Sequence, residues 1–555
     1  MLDSRFHPQD SSDSSAAESS NTYLNPANAG ANRREWLRQA AALGVASTTL
    51  YGATGPLTVR AFEPGGAPCD GRFLDTLLLT DKNGDPYEVI PQKKEAGTAT
   101  IELPKGKFEL TMVLPVKDFG TVYLFADDGG ELYAPTGREL LLNYEFARCR
   151  AAFVRRYLKA AQAAGITFSD ALLTKLARGE ALLKQASEAR ETPARAEYSN
   201  QSLSETMWAG EMAALERARF RISHQGPRPG FLFGAYSHPF AKTEEHFKLF
   251  TDLFNEMTLA LYRRGTDTPY FRPGVEREEG KADYSLADSI LQKVAGTDIT
   301  IKGHPLMWFG RPGVPEFLRT KTWDGVKQSC RQYILQTVSR FKSRIHLWDS
   351  INEAHDSANE LGYNHAQLLE LTRFACEMTR VADPTAFRVV NATSPWGEYA
   401  QKRRAQGGGK TWTPLAYYRA VEEARVPYEA IGLQVYNPKR DMLEIERQME
   451  RFFVFGKPVH ITELGISSSS EPDKRSQMIP SPEVWHGTAW NEQIQADWVE
   501  QYYTICYSKP EINAIIWWNF TDPSLFPNAA FLTDDLRPKE SYHRLLKLVR
   551  TWRGA

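Results

Sequence analysis

Eight short apolar runs, separated by longer amphipathic stretches, fill the chain from about residue 230 to its end. They lie at 231–235, 253–258, 299–303, 345–351, 387–390, 430–435, 458–462 and 514–517. Strand signals alternating with helix signals specify parallel strands, because parallel neighbours need a long return connection and a helix supplies it. Eight such units within roughly 320 residues fit a closed barrel, which takes about 250 residues before loop insertions. The fold class is therefore α/β, with a (β/α)8 TIM barrel expected over 226–555.

The chain before the barrel has three different textures. A leader is placed at 1–60, and its residues 1–32 are rich in Ser, Asn, Asp and Ala, with almost no bulky apolar side chains before the mid-20s. Such a leader cannot bury enough surface to offset its chain entropy and is expected to be disordered. Within it, Asn32-Arg33-Arg34-Glu35-Trp36-Leu37-Arg38 precedes the mildly apolar Gln39-Ala40-Ala41-Ala42-Leu43-Gly44-Val45-Ala46. This resembles a twin-arginine export signal, which implies a periplasmic or extracellular protein. A short basic helix in a floppy tail is the plainer alternative.

Residues 61–145 place β-like runs at 73–79, 108–114 and 122–126 between turn clusters such as Asp81-Lys82-Asn83-Gly84-Asp85-Pro86 and Asp127-Asp128-Gly129-Gly130. They predict a small β-sandwich-like accessory module. Carbohydrate binding and simple packing on the catalytic domain both fit it. Over 146–225 the period changes: Phe153, Tyr157, Leu158 and Ala161, then Leu172, Leu173, Leu176, Leu182 and Leu183, recur at helical spacing. That segment reads as a helical connector.

Lys plus Arg total 67 against 68 Asp plus Glu, a formal net charge of -1, so bulk electrostatics gives no reason to expect a nucleic-acid or anionic-membrane partner. No run of 18 apolar residues exists, and stable membrane insertion is not expected. Five scattered cysteines, odd in number and without a CxxC, predict buried thiols rather than disulfides or a zinc site. His238, His246, His304 and His365 show neither HxH nor HExxH spacing. No metal and no cofactor is therefore expected. The 13 Trp, 23 Tyr and 28 Phe suit a large core, and those at strand ends also suit sugar stacking.

Active sites of such barrels lie at the C-terminal ends of the strands. The third run is followed by His304, the fourth by Asn352-Glu353, the fifth by Asn391, the sixth by Tyr436-Asn437 and the seventh by Glu463; the eighth ends in Trp517-Trp518-Asn519. These groups would converge on one mouth. Paired carboxyls there can cleave an acetal, one donating a proton to the leaving oxygen while the other attacks the anomeric carbon or activates water. Glu353 and Glu463 are the candidate catalytic pair, and the Asn352 amide is placed to bind the sugar 2-hydroxyl. Two solvated loop glutamates are the bland alternative.

Five motifs stand in order: Lys302-Gly303-His304-Pro305-Leu306-Met307-Trp308, Trp348-Asp349-Ser350-Ile351-Asn352-Glu353-Ala354, Ile431-Gly432-Leu433-Gln434, Ile461-Thr462-Glu463-Leu464 and Trp517-Trp518-Asn519-Phe520-Thr521-Asp522-Pro523. Together with Asp534-Asp535-Leu536-Arg537-Pro538, they make residues 230–545 similar to glycoside hydrolase family 10, the endo-1,4-β-xylanase family. The resemblance implies a retaining, double-displacement glycosidase acting on a β-1,4-linked polysaccharide or oligosaccharide such as xylan or a related hemicellulose. Glu353 would be its general acid/base and Glu463 its nucleophile. His304, Trp308, Asn352, Gln434, Trp517 and Trp518 would shape the sugar subsite.

The departures from the family are informative. Thr258-Leu259-Ala260-Leu261-Tyr262-Arg263-Arg264 lacks the family's Glu-Asn…Lys cluster, and Phe309 stands where it has His. Gln434-Val435-Tyr436 replaces its Gln-Ser-His, and Glu463-Leu464-Gly465 its Glu-Leu-Asp. Both members of the family's His–Asp relay behind the nucleophile are thus absent, and Tyr436 is expected to donate its phenolic proton to Glu463 instead. Two other readings remain open: a non-catalytic glycan-binding protein on the same barrel, and a metal-dependent barrel hydrolase. If Arg33-Arg34 is a translocation signal, replacing both with Lys will leave precursor in the cytoplasm at nearly unchanged charge. Fractionation of cells making the double-Lys variant checks this, and normal secretion refutes it.

Overall fold

The computed structural model describes residues 55–236, 243–263, 274–355, 358–401, 411–476, 478 and 485–554. The leader with Arg33-Arg34, and His238, lie outside these residues. Seven strands come first: β1 Leu57–Arg60, β2 Leu78–Thr80, β3 Gln92–Lys93, β4 Thr98–Ile101, β5 Glu109–Val116, β6 Gly120–Ala126 and β7 Arg138–Leu141. They form a four-stranded sheet in the order β3-β4-β1-β7 and a three-stranded sheet in the order β2-β5-β6. Leu57, Val59 and Ile101 of the first share one buried cluster with Leu110, Met112 and Leu124 of the second. The strand expected over 73–79 is mostly not one. Asp70 accepts from the Arg72 N–H, starting a single helical turn at Gly71–Leu74 that buries Phe73 and Leu74.

Three helices follow, α1 Leu142–Ala163, α2 Asp170–Glu188 and α3 Thr192–Gln225. Ser169 caps α2 and a proline occupies the first turn of α3, the positions at which those residues favour helix starts. The buried face of α3 is made of small residues, including Ala209, Gly210, Ala213, Ala214 and Ala218. A Cβ at Gly210 would lie 2.2 Å from Arg150 Nη2 and 2.8 Å from Leu443 Cδ2, so this face admits the close approach that a larger residue would prevent.

Eight more strands close on themselves: β8 Leu232–Tyr236, β9 Glu256–Ala260, β10 Thr300–His304, β11 Leu347–Asn352, β12 Phe387–Thr393, β13 Ala430–Tyr436, β14 Val459–Gly465 and β15 Ile512–Trp518. Neighbours pair in parallel, and β15 returns to β8 with Trp518 opposite Tyr236. Each of the eight apolar runs overlaps one of these strands. The second run began too early, because Leu253 ends the helix Glu244–Leu253 and Phe254 caps it. Crossover helices start on capping side chains at Thr243, Thr322, Asn364, Thr413, Asp441 and Asn491. All five cysteines are buried and free.

Val154, Tyr157, Leu172 and Leu176 belong to the same buried cluster as the barrel's own Leu443, Ile445 and Tyr502. The helices before the barrel are thus packed onto it. A buried ion pair marks the contact: Arg150 of α1 meets Asp441 at 3.2 and 2.7 Å, with exposures of 3% and 1%. Asp441 also caps the helix Met442–Glu450. Removing one member of such a pair leaves a buried charge without its partner. Arg150→Ala is expected to lower stability by about 3–5 kcal/mol. Breaking the exposed Arg155–Glu180 pair should cost about 1 kcal/mol or less. Urea unfolding of the two variants checks the contrast.

Candidate active site

Strand periodicity aims the site. Side chains two apart on a strand share a face, so Gln434 and Tyr436 on β13 both point to Glu463 on the neighbouring β14, where Gln434 lies opposite Glu463 and Tyr436 opposite Gly465. Glu463 sits inside β14 rather than in the loop after it, and is 5% exposed. Its Oε1 accepts from Gln434 Nε2 at 2.9 Å and Asn391 Nδ2 at 3.3 Å. Its Oε2 accepts from the Tyr436 hydroxyl at 2.6 Å. His304 Nε2 is 3.8 Å from Oε1.

Glu353 is held differently. It follows β11 with φ +56°, in the left-handed region that a side chain occupies at a cost of about 1–3 kcal/mol. Its N–H donates to the Asn391 carbonyl at 2.8 Å, which fixes that turn. The carboxyl is half-buried, and its Oε2 accepts from the Trp308 indole at 2.8 Å. Burial raises Glu353 above the ordinary carboxylate range, and the Trp308 bond opposes the rise. Burial and then the charge of Glu353 push Glu463 well up, against the pull of the Tyr436 bond.

An amide lattice links the two carboxyls. Asn352 Oδ1 accepts from Asn391 Nδ2 at 2.8 Å and Gln434 Nε2 at 3.1 Å. Thr462 donates to Asn391 Oδ1 at 2.5 Å, which leaves the Asn391 amino group to face Asn352 and Glu463. Beneath them His304 Nδ1 lies 2.6 Å from Asp349 Oδ2, and Lys302 Nζ lies 3.2 Å from the same oxygen, all fully buried. Burial lowers His304 despite Asp349. Aromatic rings wall the mouth. Tyr236 and Trp518 stack at 4.3 Å, His304 meets Trp518 edge-on at 5.3 Å, and Tyr262 lies 5.5 Å from both His304 and Trp308.

His304, Trp308, Asn352, Gln434, Tyr436 and Trp518 therefore gather with Glu353 and Glu463. Trp517 does not, which corrects the sequence expectation. It is 0% exposed, packs on Phe531 and donates its indole N–H to the Ala529 carbonyl at 3.0 Å. Adjacent strand residues face opposite sides, so only one of the two tryptophans can reach the mouth. Thr462, Tyr262 and Tyr236 were not expected at the site, and Asn391 was expected at the mouth without a role. The sequence signal for Asn391 was present, a polar residue ending the fifth run; Tyr262 gave only an aromatic just past the second strand. Among the described residues no cluster of His, Cys, Asp or Glu is arranged to hold a metal, and no helix is long and apolar enough to cross a membrane.

Comparison with known proteins gives the same frame. An endo-1,4-beta-xylanase/feruloyl esterase of Xylanibacter ruminicola is 25% identical over 284 residues, 45% of this chain and 37% of that protein's length. Endo-1,4-beta-xylanase B of Paenibacillus barcinonensis is 24% identical over 296 residues, 49% of this chain and 84% of the relative. The chain thus spans little more than a third of the first relative's length. A solved family 10 structure from Paenibacillus barcinonensis has a TM-score of 0.45 at 18% identity, covering 59% of this chain and 96% of that one. The family model of glycosyl hydrolase family 10 matches residues 243–547. That match takes in more than half of the 555 residues, both glutamates and every strand from β9 to β15, and the chain belongs to glycosyl hydrolase family 10.

Proposed function

We propose that the protein is a retaining glycoside hydrolase that cleaves β-1,4-linked glycan backbones, xylan or a related hemicellulose, by double displacement. The observation that carries this reading is the unequal support of the two carboxyls. Glu463 accepts from Tyr436, Gln434 and Asn391, whereas Glu353 accepts from Trp308, with lesser support from Gln434 and Asn352. Donors favour the ionised form of a carboxyl. Two interacting carboxyls release their protons in separate steps. Burial and the charge of Glu353 push Glu463 well up, so an ionised Glu463 depends on its three donors and on Glu353 holding the shared proton.

That division suits acetal cleavage. Ionised Glu463 attacks the anomeric carbon while Glu353 passes its proton to the departing glycosidic oxygen, leaving a glycosyl ester on Glu463. Glu353, now ionised, takes a proton from water, and the water oxygen displaces Glu463 with net retention. The rings of Trp518, Trp308 and Tyr262 would line the sugar's cleft, with Tyr236 stacked behind Trp518. The names of the relatives, endo-1,4-beta-xylanases, support the glycan class. Arg263 is turned into a buried ion pair with Glu276 and a bond to Ser329 at 3.0 Å, so it is not available to sugar hydroxyls. This favours a substrate other than plain xylan. Export through the twin-arginine route, with polysaccharide met outside the cytoplasm, is part of the same proposal.

Two experiments test it. Glu463→Ala should abolish turnover of every substrate, while Glu353→Ala should lose about 10²–10⁴-fold on natural glycans. The latter should still form the intermediate from a dinitrophenyl glycoside, and azide should release it as the β-glycosyl azide, identified by NMR. Equal loss in both variants on that substrate, with no azide rescue, refutes the roles; wild type that binds glycan without turnover identifies a binding protein. In a panel of β-glycans, unsubstituted xylan should be cleaved more slowly than a decorated or alternative backbone. Efficient cleavage of linear xylo-oligosaccharides with no better substrate contradicts the altered subsite.

A further inference from the structure

We propose that Tyr436 is a positioning residue for the Glu463 carboxylate and that Gly465 is the glycine that admits its ring. The inference rests on Glu463 being the nucleophile. A carboxylate held at one oxygen can turn about its terminal torsion, which is broad and roughly two-fold. Gln434 and Asn391 both hold Oε1, and Tyr436 supplies the bond to Oε2 at 2.6 Å. The two oxygens are thus gripped from the same strand, two residues apart on one face, and the carboxylate plane is set.

The position of the phenol depends on what lies under its ring. Gly465 is opposite Tyr436 across the β13–β14 ladder. A Cβ there would sit 3.2 Å from Cδ1 and 3.3 Å from Cε1 of the tyrosine, tighter than ordinary packing. The Phe526 ring packs against the tyrosine at 5.1 Å and would lie 3.9 Å from the same Cβ. The ring is therefore clamped, and a methyl at 465 must shift it by a few tenths of an ångström, which disturbs a 2.6 Å bond. Tyr436 and Gly465 act as one unit.

A phenol also keeps its proton. Burial, then the charge of Glu463, raises Tyr436 well above its ordinary value, so it remains a donor wherever the site is folded. The other titratable or charged groups around Glu463 are His304 and Lys302 of β10, Asp349 of β11, Glu353 after β11 and Tyr262 after β9. None of these bonds to Oε2. A bond to the charged form favours that form, so its loss raises Glu463, and the acid limb of the activity profile must move to higher pH.

The test uses Tyr436→Phe, Gly465→Ala and the double variant of the full chain, assayed with a dinitrophenyl β-glycoside, and labelled with the matching 2-deoxy-2-fluoro glycoside. Tyr436→Phe should lose about 10- to 100-fold in kcat/KM, the range for one hydrogen bond to a charged group. KM should change little, the acid limb should move up, labelling of Glu463 should slow in parallel, and the melting temperature should hold. Gly465→Ala should show a loss of the same kind, and adding it to Tyr436→Phe should cause no further loss. Tyr436→Phe with wild-type kcat/KM and acid limb, while Glu463 is still labelled, overturns the inference alone. So do single-variant losses that multiply in the double variant. Wild type that turns over substrate but is never labelled at Glu463 overturns the nucleophile assignment and this inference with it.

Discussion

A parallel sheet that closes on itself brings all its strand ends to one ring, and every other residue along each strand then faces the same small interior. Closure of β15 onto β8 imposes that geometry here. It carries Glu463, Gln434 and Asn391 from three successive strands into mutual hydrogen-bond reach, although they are separated by 29 and 72 residues from Glu463 in sequence. It also forces the interior to be packed, and a packed interior withdraws polar groups from water. The raised carboxyls of the site are a direct consequence of that withdrawal. Each must then be matched by donors from neighbouring strands, because a buried group without them costs about 1–3 kcal/mol or more.

The layer below the site follows the same rule with charge. Burial raises Glu256 to about 8 even though Lys302 opposes it, which favours the protonated form near neutral pH, and its Oε1 accepts from Thr258 at 2.9 Å. Burial lowers His460 to about 4, leaving that imidazole neutral as well. Asp349 would be raised by burial, but Lys302 and His304 hold it below its ordinary value. The charges remaining there are Lys302 and Asp349, 3.2 Å apart, and they largely cancel at a distance. Beyond burial, Glu463 feels Glu353 and its Tyr436 bond first, and Lys302 and Asp349 then pull on it in opposite senses.

Much of this was legible in the sequence because it depends on local pattern. Eight runs announced eight strands, and the residues ending them named both glutamates, His304 and Asn352, while Gln434 came from the resemblance of its motif. What failed to show was what depends on partners. Trp517 and Trp518 are chemically identical neighbours, and only the direction of the pleat sends one to Phe531 and the other to Tyr236. Nothing local in Thr258–Arg264 tells that Arg263 is buried against Glu276, thirteen residues on. The length of Glu463's strand was hidden because a buried, hydrogen-bonded glutamate reads as a loop residue when its donors come from elsewhere. The packing of α3 was hidden for the opposite reason: its buried face is mostly small residues, which allow close approach and are too weakly apolar to stand out.

Those helices and the β-module also bear on the site, through the loop that follows β13. Tyr436 ends that strand, and the next residues are tied down one after another. The Tyr123 N–H of β6 donates to the Lys439 carbonyl at 2.8 Å. The Arg440 guanidinium lies 4.4 Å from the Tyr123 ring and 4.9 Å from the Trp396 ring. Asp441 is gripped by Arg150 of α1. Three consecutive residues are thus fixed by two N-terminal elements, immediately beyond the tyrosine that holds the nucleophile. An ordered loop leaves β13 little freedom to slide, and a bond as short as 2.6 Å tolerates little sliding. The described segment before the barrel is in this sense part of the support of the active site, even though none of its described residues bonds to the two carboxyls.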